Sequence, residues 1–276
     1  MPETHPNSSD KKADVRDFWD AASCGEVYAS GDSEKQYYES NSRKRYELEP
    51  YILDFARFQD AAGKNVLEIG VGMGADHAQL ASAHPHSLIG VDLTPRAVTH
   101  TRRRLELLEL PCDARVADAE NLPFDSNSFD LVYSWGVLHH SPNTQQAINE
   151  VNRVLRPGGT ARIMIYHKYS LVGYMLWLRY ALLVGHPFRS LNYIYAHHLE
   201  SPGTKAYTVR EVHQMCKLFR SCKVTTLLSF GDLLQGEVGQ RHRGPLLRIA
   251  KALWPRWLLK RVCRRHGMCL LIEATK

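Results

Sequence analysis

Several common sequence features are missing from this 276-residue chain, and each absence removes a class of protein. The six cysteines form no C-x-x-C pair, so we expect reduced thiols in a cytoplasmic protein and no metal site. The polar N-terminus lacks the apolar core of a signal peptide. The apolar run at 169–184 contains Arg179 and is short for a transmembrane helix, so no membrane span is predicted.

The positive charge is unevenly distributed. Much of the formal charge of +6 lies between Arg241 and Arg265, so it does not predict a nucleic-acid partner. The segment 245–265 mixes tryptophan and leucine with arginine and lysine. We favour a helix packed on the core with a basic outer side, and a peripheral membrane contact through 245–265 is the rival interpretation. Composition does not predict the oligomeric state.

Apolar strands alternate with amphipathic helices, which is typical of an α/β fold with a parallel sheet covered on both faces. The pattern predicts a disordered lead-in at 1–13, a helical cap at 14–60 and one large domain at 61–276. A helical insert at 168–205 follows the fifth strand. We interpret this insert as a lid over an apolar pocket, with a membrane-resting helix as the alternative.

A glycine-rich loop follows the first strand of the large domain. The apolar run from Val66 to Ile69 carries Glu68 and then breaks into Gly70, Gly72 and Gly74. These glycines allow a sharp turn and a close approach of the backbone to a ligand. Because the spacing also fits the dinucleotide fingerprint, the loop alone leaves a dehydrogenase open.

Polar residues occur at the carboxyl ends of successive strands. Glu68 lies in the first strand, Asp92 ends the second, Asp118 follows the third, and the segment 134–140 follows the fourth. The carboxyl ends of parallel strands share one edge of a sheet, where such folds bind their ligands. Asp92 lies 22 residues after Gly70, the position from which a carboxylate can take both ribose hydroxyls.

The ordered set of these motifs resembles the class I S-adenosylmethionine-dependent methyltransferases. The set comprises the loop 66–74, Gly90-Val91-Asp92-Leu93, the segment 118–124, the strand 129–134 and the turn 156–159. It is closest to the small-molecule branch that includes the ubiquinone and menaquinone enzymes. The resemblance implies S-adenosyl-L-methionine as cofactor and a Rossmann-like three-layer fold, with a seven-stranded, mostly parallel sheet whose last strand is antiparallel. The segments 118–124 and 156–159 favour it over a dehydrogenase.

The resemblance also implies roles for individual residues. The loop from Gly70 to Gly74 would pass under the methionine part of the cofactor, and Glu68 would orient the loop or the cofactor's amino group. Asp92 would bind the ribose hydroxyls. Asp118 would accept the adenine amino group. The neighbouring residues Leu93 and Ala119 would contact the adenine.

Four further residues complete the implied cofactor site. Ser134 and Trp135 would line the methionine and the sulfonium. In related enzymes an aromatic and a basic residue from the N-terminal cap close over the cofactor. Tyr38 and Arg45 occupy comparable positions, and Arg45 would pair with the cofactor's carboxylate. The alternative is an exposed helix face with no role in binding.

Methyl transfer needs an aligned nucleophile and, for some acceptors, a base. His139 and His140 follow the fourth strand, and Tyr166 ends the fifth, so each is a candidate base. The alternative for the two histidines is a role in ordering the loop. Gly136-Val137 stands where amide and base N-methyltransferases carry Asn/Asp-Pro-Pro-Tyr/Phe, which counts against DNA methylation.

The sequence therefore predicts methyl transfer to a small, fairly apolar acceptor, such as a natural product, a quinone-like ring or a lipid-like molecule. One alternative is an enzyme of this fold that uses the sulfonium for an intramolecular displacement and releases methylthioadenosine. Another is a non-catalytic protein that binds the membrane surface.

Overall fold

The computed structural model describes residues 8–235, 252 and 254–276. Within these ranges one mixed sheet runs through the centre and helices cover both of its faces. The predicted lead-in at 1–13 and the basic segment at 245–265 each lie partly outside the described residues. No helix among the described residues is both long enough and apolar enough to cross a bilayer.

The sheet has seven strands in the order β3-β2-β1-β4-β5-β7-β6, which confirms the predicted fold class. Strands β1 to β5 are parallel, and β7 runs antiparallel between β5 and β6. The strands are β1 (Asn65–Ile69), β2 (Ser87–Asp92), β3 (Ala114–Val116), β4 (Phe129–Trp135), β5 (Leu155–Tyr166), β6 (Ser221–Leu227) and β7 (Cys269–Thr275).

The helices fall into a cap, the layers beside the sheet, and an insert. The cap contains α1 (Ser8–Ala21), α2 (Glu34–Leu48) and α3 (Tyr51–Ala56). The layers contain α4 (Ala75–Ser82), α5 (Pro95–Leu107), α6 (Thr144–Val154) and α9 (Val209–Met215). The insert contains α7 (Leu171–Tyr180) and α8 (Leu191–His198), and α10 (Arg256–Val262) precedes β7.

Alternating side chains of the strands fill two separate cores, because successive residues of a strand face opposite sides of the sheet. Leu67 and Val132 pack with Ile148 of α6 on one side. Val66 and Leu131 pack with helices α3 and α4 on the other. Both cores lie below the carboxyl ends of the strands, so the edge where the loops meet remains available for a ligand.

Helices α2, α5 and α9 each begin with a side-chain cap. The side chains of Ser33, Thr94 and Thr208 each accept a hydrogen bond from the backbone N–H three residues on, and Thr208 forms a full capping box with Glu211. Two boundaries differ from the prediction. Helix α1 begins at Ser8, within the segment predicted to be disordered. Strand β5 begins at Leu155, because the turn at 156–159 is accommodated as an irregularity in its pairing with β4.

Candidate active site

A cavity of about 970 Å³ opens at the carboxyl edge of the sheet. Small-molecule sites in proteins occupy roughly 300–1,000 Å³, so this one has room for a large ligand or for two ligands side by side. One part of the wall consists of the loops after β1, β2, β3 and β4. The other part is largely apolar and comes from the cap, the insert and the segment before β7. The cavity therefore has a loop end and an apolar end.

The glycine loop forms the floor of the loop end. Gly70 has φ +85°, and a Cβ there would lie 2.0 Å from Cγ2 of Val137, so a larger residue would clash. Gly72 has φ +51°, and a Cβ there would meet nothing within 4 Å. The backbone at Gly72 thus faces open space in the cavity wall. This geometry suits a ligand lying directly on the loop.

Glu68 connects the first strand to the helix that follows the loop. Its Oε2 lies 2.8 Å from Nδ1 of His77 in α4, and both side chains are buried. Burial raises the pKa of Glu68, and His77 opposes that rise. Since Glu68 also lines the cavity, its carboxylate holds the loop between strand and helix and lies beside the ligand space.

Asp92 braces the same loop from the second strand. One carboxylate oxygen accepts the N–H of Gly72 at 3.2 Å, and the other accepts the N–H and hydroxyl of Thr94 at 3.0 and 2.9 Å. Burial raises the pKa of Asp92, while these bonds work against the rise. Asp92 and Leu93 both line the cavity. A carboxylate held in this way can still accept hydroxyl hydrogens on its remaining lone pairs.

Asp118 forms an ion pair with a residue that the sequence analysis did not predict to be in the site. Lys12 of α1 lies 2.5 Å from Oδ2 of Asp118 and 2.9 Å from Oε2 of Glu120. Burial works against protonation of Lys12, but the two carboxylates outweigh it and raise the pKa of Lys12. Asp118, Ala119 and Lys12 all line the cavity. Helix α1 therefore lies over the predicted adenine site.

Ser134 and Trp135 are adjacent in β4, but only one of them lines the cavity. The hydroxyl of Ser134 donates to the carbonyl of Ile69 at 2.9 Å and is fully buried, so it joins β4 to β1 below the cavity. Ser134 does not line the cavity, whereas Trp135 does. The indole ring packs against Tyr51 and Phe55, with ring centroids 6.0 and 5.9 Å away.

Tyr38 and Arg45 also differ in whether they line the cavity. Tyr38 does not line the cavity; its hydroxyl lies 3.1 Å from Nδ1 of His100, and Arg104 lies over its ring. The structure therefore places Tyr38 in the contact between α2 and α5 and away from the predicted cofactor. Arg45 does line the cavity.

The guanidinium of Arg45 forms a bidentate pair with Asp76 of α4. Its Nε and Nη2 lie 2.9 and 2.6 Å from the two carboxylate oxygens. The hydroxyls of Tyr46 and Tyr133 donate to the same carboxylate at 2.9 and 2.8 Å. Burial alone would favour protonation of Asp76, but Arg45 and these donors lower the pKa of Asp76. Arg45 thus connects the cap to α4. A ligand carboxylate that paired with Arg45 would have to share the guanidinium with Asp76.

His140, Glu200 and Tyr166 form a polar cluster in the cavity wall. The hydroxyl of Tyr166 donates to Oε2 of Glu200 at 2.9 Å, and Nε2 of His140 lies 3.4 Å from the same oxygen. Nδ1 of His140 lies 2.8 Å from the hydroxyl of Ser201. Burial, followed by the charge of Glu200, raises the pKa of Tyr166 well above its usual value, so Tyr166 remains a donor.

His139 differs from its neighbour. It is fully buried, does not line the cavity, and neither ring nitrogen has a hydrogen-bond partner among the described residues. Burial, and then the nearby charge of His140, lowers the pKa of His139 well below its usual value. Its ring packs on Tyr166 with centroids 3.8 Å apart. Of the two histidines, only His140 therefore faces the ligand space.

The same cluster bears on the expectation that the chain has no metal site. One ligand atom each from His139, His140 and Glu200 lies within 4.8 Å of the others, so in the described part of the chain these three could hold a cation. Oε2 of Glu200 is already bonded to Tyr166, which competes with a cation for that oxygen. The arrangement thus fits either an acid–base group or a cation.

Three residues of the site were missed by the sequence: Lys12, Trp19 and Glu200. Trp19 of α1 lies edge-on to His140, with ring centroids 5.2 Å apart. Helix α1 therefore reaches from Asp118 to the polar cluster. No local sequence signal connects Lys12 to Asp118 or Glu200 to His140, because the partners lie at least 60 positions apart.

Comparisons with known proteins agree with this architecture. A family model described as a methyltransferase domain matches residues 67–163. Over 99 residues the chain is 41% identical to the phthiotriol/phenolphthiotriol dimycocerosates methyltransferase of Mycobacterium leprae (strain TN), covering 36% of each protein. Over 122 residues it is 36% identical to the fatty-acid O-methyltransferase of Mycolicibacterium smegmatis, covering 44% of this chain and 43% of that enzyme. The matched segments thus span less than half the length of either relative.

A likeness to solved structures extends over the whole chain. The geranyl diphosphate C-methyltransferase of Streptomyces coelicolor A3(2), in complex with Mg²⁺, geranyl diphosphate and S-adenosyl-L-homocysteine, aligns with 100% of this chain and 99% of its own. The TM-score is 0.61 and the sequence identity 16%, so this likeness concerns the fold alone.

Fold, cavity and sequence comparison together define a class. The chain has the three-layer architecture of the class I S-adenosylmethionine-dependent methyltransferases. Residues 67–163, which match the methyltransferase domain model, contain the glycine loop, Asp92, Asp118 and the segment around His140.

Proposed function

We propose that this protein transfers the methyl group of S-adenosyl-L-methionine to an O–H group of a lipid-like, largely apolar small molecule. The observation that carries this proposal is the division of one cavity into two ends. The loop end presents Glu68, Asp92 and Asp118, whereas the other end is mainly apolar. The methyltransferase relatives named for a fatty acid and for phthiotriol support an acceptor of this kind.

The cofactor would occupy the loop end. Carboxylates suit its ribose hydroxyls and adenine amino group, which are hydrogen-bond donors, and Asp92 and Asp118 line that end. The open backbone at Gly72 leaves room for the methionine portion. Bound there, the cofactor supplies an electrophilic methyl group for displacement. Trp135 and Tyr166 also line the cavity, and their rings would keep water from the reacting atoms.

The acceptor would occupy the apolar end, among side chains of the insert and the segment before β7. The apolar walls include Val172, Met175, Leu176, Leu199, Phe230 and Leu234. Burial of a hydrocarbon chain against such walls stabilises binding by about 25 cal/mol per Å². The insert at 168–205 would serve as the lid of this end.

His140 would remove the acceptor's proton. With Nδ1 donating to Ser201, Nε2 is the acceptor nitrogen and lies beside the ligand space. The Glu200 carboxylate, 3.4 Å from Nε2, would then stabilise the imidazolium that forms. This role assigns the base to His140 and leaves His139 as a packing residue.

Turnover of a lipid extract tests the proposal. Purified protein is incubated with S-adenosyl-L-methionine carrying a labelled methyl group and with an extract of apolar metabolites, and the products are read by mass spectrometry. We expect label in an apolar product whose mass has risen by one methylene unit, with S-adenosyl-L-homocysteine formed. Release of methylthioadenosine without a labelled product would favour the intramolecular reaction and overturn the proposal.

A further inference from the structure

The outer surface around the apolar end of the cavity has an unusual charge balance. Two segments form it: residues 169–199, which contain helices α7 and α8, and residues 254–266, which contain α10. We call this surface the lid face. Neither segment contains an aspartate or a glutamate. Their cationic residues are Arg179, Arg189, Arg256, Lys260, Arg261, Arg264 and Arg265.

Direct contacts join the two segments. Nδ1 of His266 lies 3.1 Å from the hydroxyl of Tyr174 in α7 and 3.1 Å from the carbonyl of Tyr169. Leu178 and Leu183 of the first segment line the same cavity as Trp254 of the second. The basic charge of one segment therefore lies next to the insert and at the mouth of the cavity.

Large apolar side chains on the lid face are exposed to solvent. Phe188 is 100% exposed, and Leu183 and Trp257 are each 74% exposed. Tyr174 and Leu178 lie four residues apart on α7, so they project from the same side of the helix, starting at the contact with His266. Leu182, Val184, Leu258 and Val262 are exposed as well. Single exposed apolar residues are ordinary, but a group of this size within two adjoining segments marks a binding surface.

Exposed apolar and basic side chains without acidic ones favour a partner that is both apolar and negatively charged. We propose that the lid face docks on an anionic lipid bilayer, with its basic residues at the headgroups and Leu183, Phe188 and Trp257 in the interfacial region. A second copy of the chain fits less well, because two copies meeting through this face would bring like charges together. No described helix can cross a bilayer, so the contact is peripheral.

Docking in this way would place the cavity mouth against the membrane. Leu178 and Leu183 are exposed on the lid face and also line the cavity, so an apolar molecule can move from the bilayer into the cavity along continuous apolar surface. This delivery of an acceptor rests on the proposed function. The docking itself depends only on the charge and exposure of the lid face.

Vesicle co-sedimentation of the full chain tests the docking. We expect the protein to pellet with vesicles that contain phosphatidylglycerol and to remain in solution with vesicles of phosphatidylcholine alone. Binding should weaken as salt is added, because exposed charges are screened. The double variant Arg261→Glu, Arg265→Glu should bind at least about 25-fold more weakly, since each basic side chain near an anionic surface contributes about fivefold.

Matched variants separate docking from misfolding and from general charge. Lys217→Glu with Arg220→Glu makes the same charge change at exposed positions outside the lid face and should leave vesicle binding close to that of the wild type. Phe188→Ser removes an exposed apolar group and should weaken binding several-fold. All variants should retain the wild-type affinity for S-adenosyl-L-homocysteine, which reports that they are folded.

Several outcomes would overturn the inference. The first is that the wild-type protein does not pellet with anionic vesicles. The second is that the two double variants lose vesicle binding equally. The third is that the protein forms concentration-dependent dimers in sedimentation velocity and that Phe188→Ser abolishes these dimers without changing vesicle binding. Vesicle binding without methyl transfer would support the docking and contradict the proposed function. Methyl transfer without vesicle binding would do the reverse.

Discussion

Lys12 of the first helix and Asp118 after the third strand form an ion pair with 2.5 Å between Nζ and Oδ2. If Asp118 accepts the adenine amino group as proposed, the cofactor would compete with Lys12 for the Asp118 carboxylate. Lys12 can remain bonded to Glu120 at 2.9 Å during that exchange. On this proposal, helix α1 would be coupled to occupancy of the cofactor site.

The first prediction concerns that exchange. Lys12→Met should increase the affinity for S-adenosyl-L-homocysteine by up to about fivefold, because a partly exposed ion pair contributes about 0–1 kcal/mol and would no longer compete. Asp118→Ala should weaken binding. Titration calorimetry measures both, with Lys11→Met, at an exposed neighbouring position, as the control. Weaker binding in Lys12→Met would show that Lys12 contacts the cofactor directly.

A second prediction concerns Asp92. Replacing it with alanine should weaken cofactor binding by about 1.5–3 kcal/mol, or roughly 10- to 150-fold, since hydrogen bonds to a charged group are lost. The folded-state pKa of Asp92 is raised by burial, and the ionised form is the better acceptor. Affinity should therefore fall as the pH falls through that raised pKa. Calorimetry of the wild type and Asp92→Asn across pH checks the sign; the variant should show a flatter profile, and an equally steep one would exclude Asp92 as the titrating group.

A third prediction concerns the cap. Arg45→Met leaves the Asp76 carboxylate, whose side chain is only 4% exposed, without its cation. We expect a loss of about 2–3 kcal/mol in the free energy of unfolding, below the 3–5 kcal/mol of a fully buried pair because solvent reaches Arg45. Denaturant unfolding measures this, and Arg43→Met on the exposed side of α2 should change little. Equal losses of stability in the two variants would show that the Arg45–Asp76 ion pair does not stabilise the packing of the cap on α4.

A fourth prediction concerns the polar cluster. His140→Asn should lower kcat about 10²- to 10⁴-fold, the usual contribution of a general base, with little change in cofactor affinity. Glu200→Gln should also lower kcat, because the imidazolium that forms during proton transfer loses its stabilising charge. Activity should survive EDTA, since the proposed role of His140 needs Nε2 unligated. Loss of activity in EDTA, with recovery on adding a divalent cation, would assign the cluster to a metal instead.

A fifth prediction concerns stability and pH at His139. Its folded-state pKa is depressed, so on acidification the unfolded chain takes up a proton before the folded chain does. Stability should therefore be fully present above about pH 6.5 and be lost below it, by up to about 1.4 kcal/mol per pH unit. Denaturant unfolding from pH 8 to 5 should show a shallower decline in His139→Phe than in the wild type or in the exposed-site control His213→Phe. Identical slopes would contradict the account.

The sequence predicted those features that depend on neighbouring residues. The glycine loop, the caps at Ser33, Thr94 and Thr208, and the acids at the strand ends follow from local pattern, and the sheet arranges them as expected. The features that it did not predict depend on partners distant in the chain. The pair of Lys12 with Asp118 joins positions 106 residues apart.

Contacts with distant residues also explain why Tyr38 and Ser134 do not line the cavity as predicted. Tyr38 packs with His100 and Arg104, and Ser134 bonds to the carbonyl of Ile69. Both contacts are set by how α2 and α5, or β1 and β4, pack together. Motif spacing placed these residues near the site but could not show which way their side chains point. The roles of the residues that do line the cavity remain predictions.

The stoichiometry of the labelled methyl group is the decisive measurement for methyl transfer to an apolar acceptor. Purified protein is given methyl-labelled S-adenosyl-L-methionine together with a long-chain fatty acid or an apolar alcohol, and the methylated lipid and S-adenosyl-L-homocysteine are quantified in the same sample. We expect equal amounts of the two products, and both should be strongly reduced in Asp92→Ala. The absence of any labelled lipid, while cofactor affinity is intact, would contradict methyl transfer to an apolar acceptor.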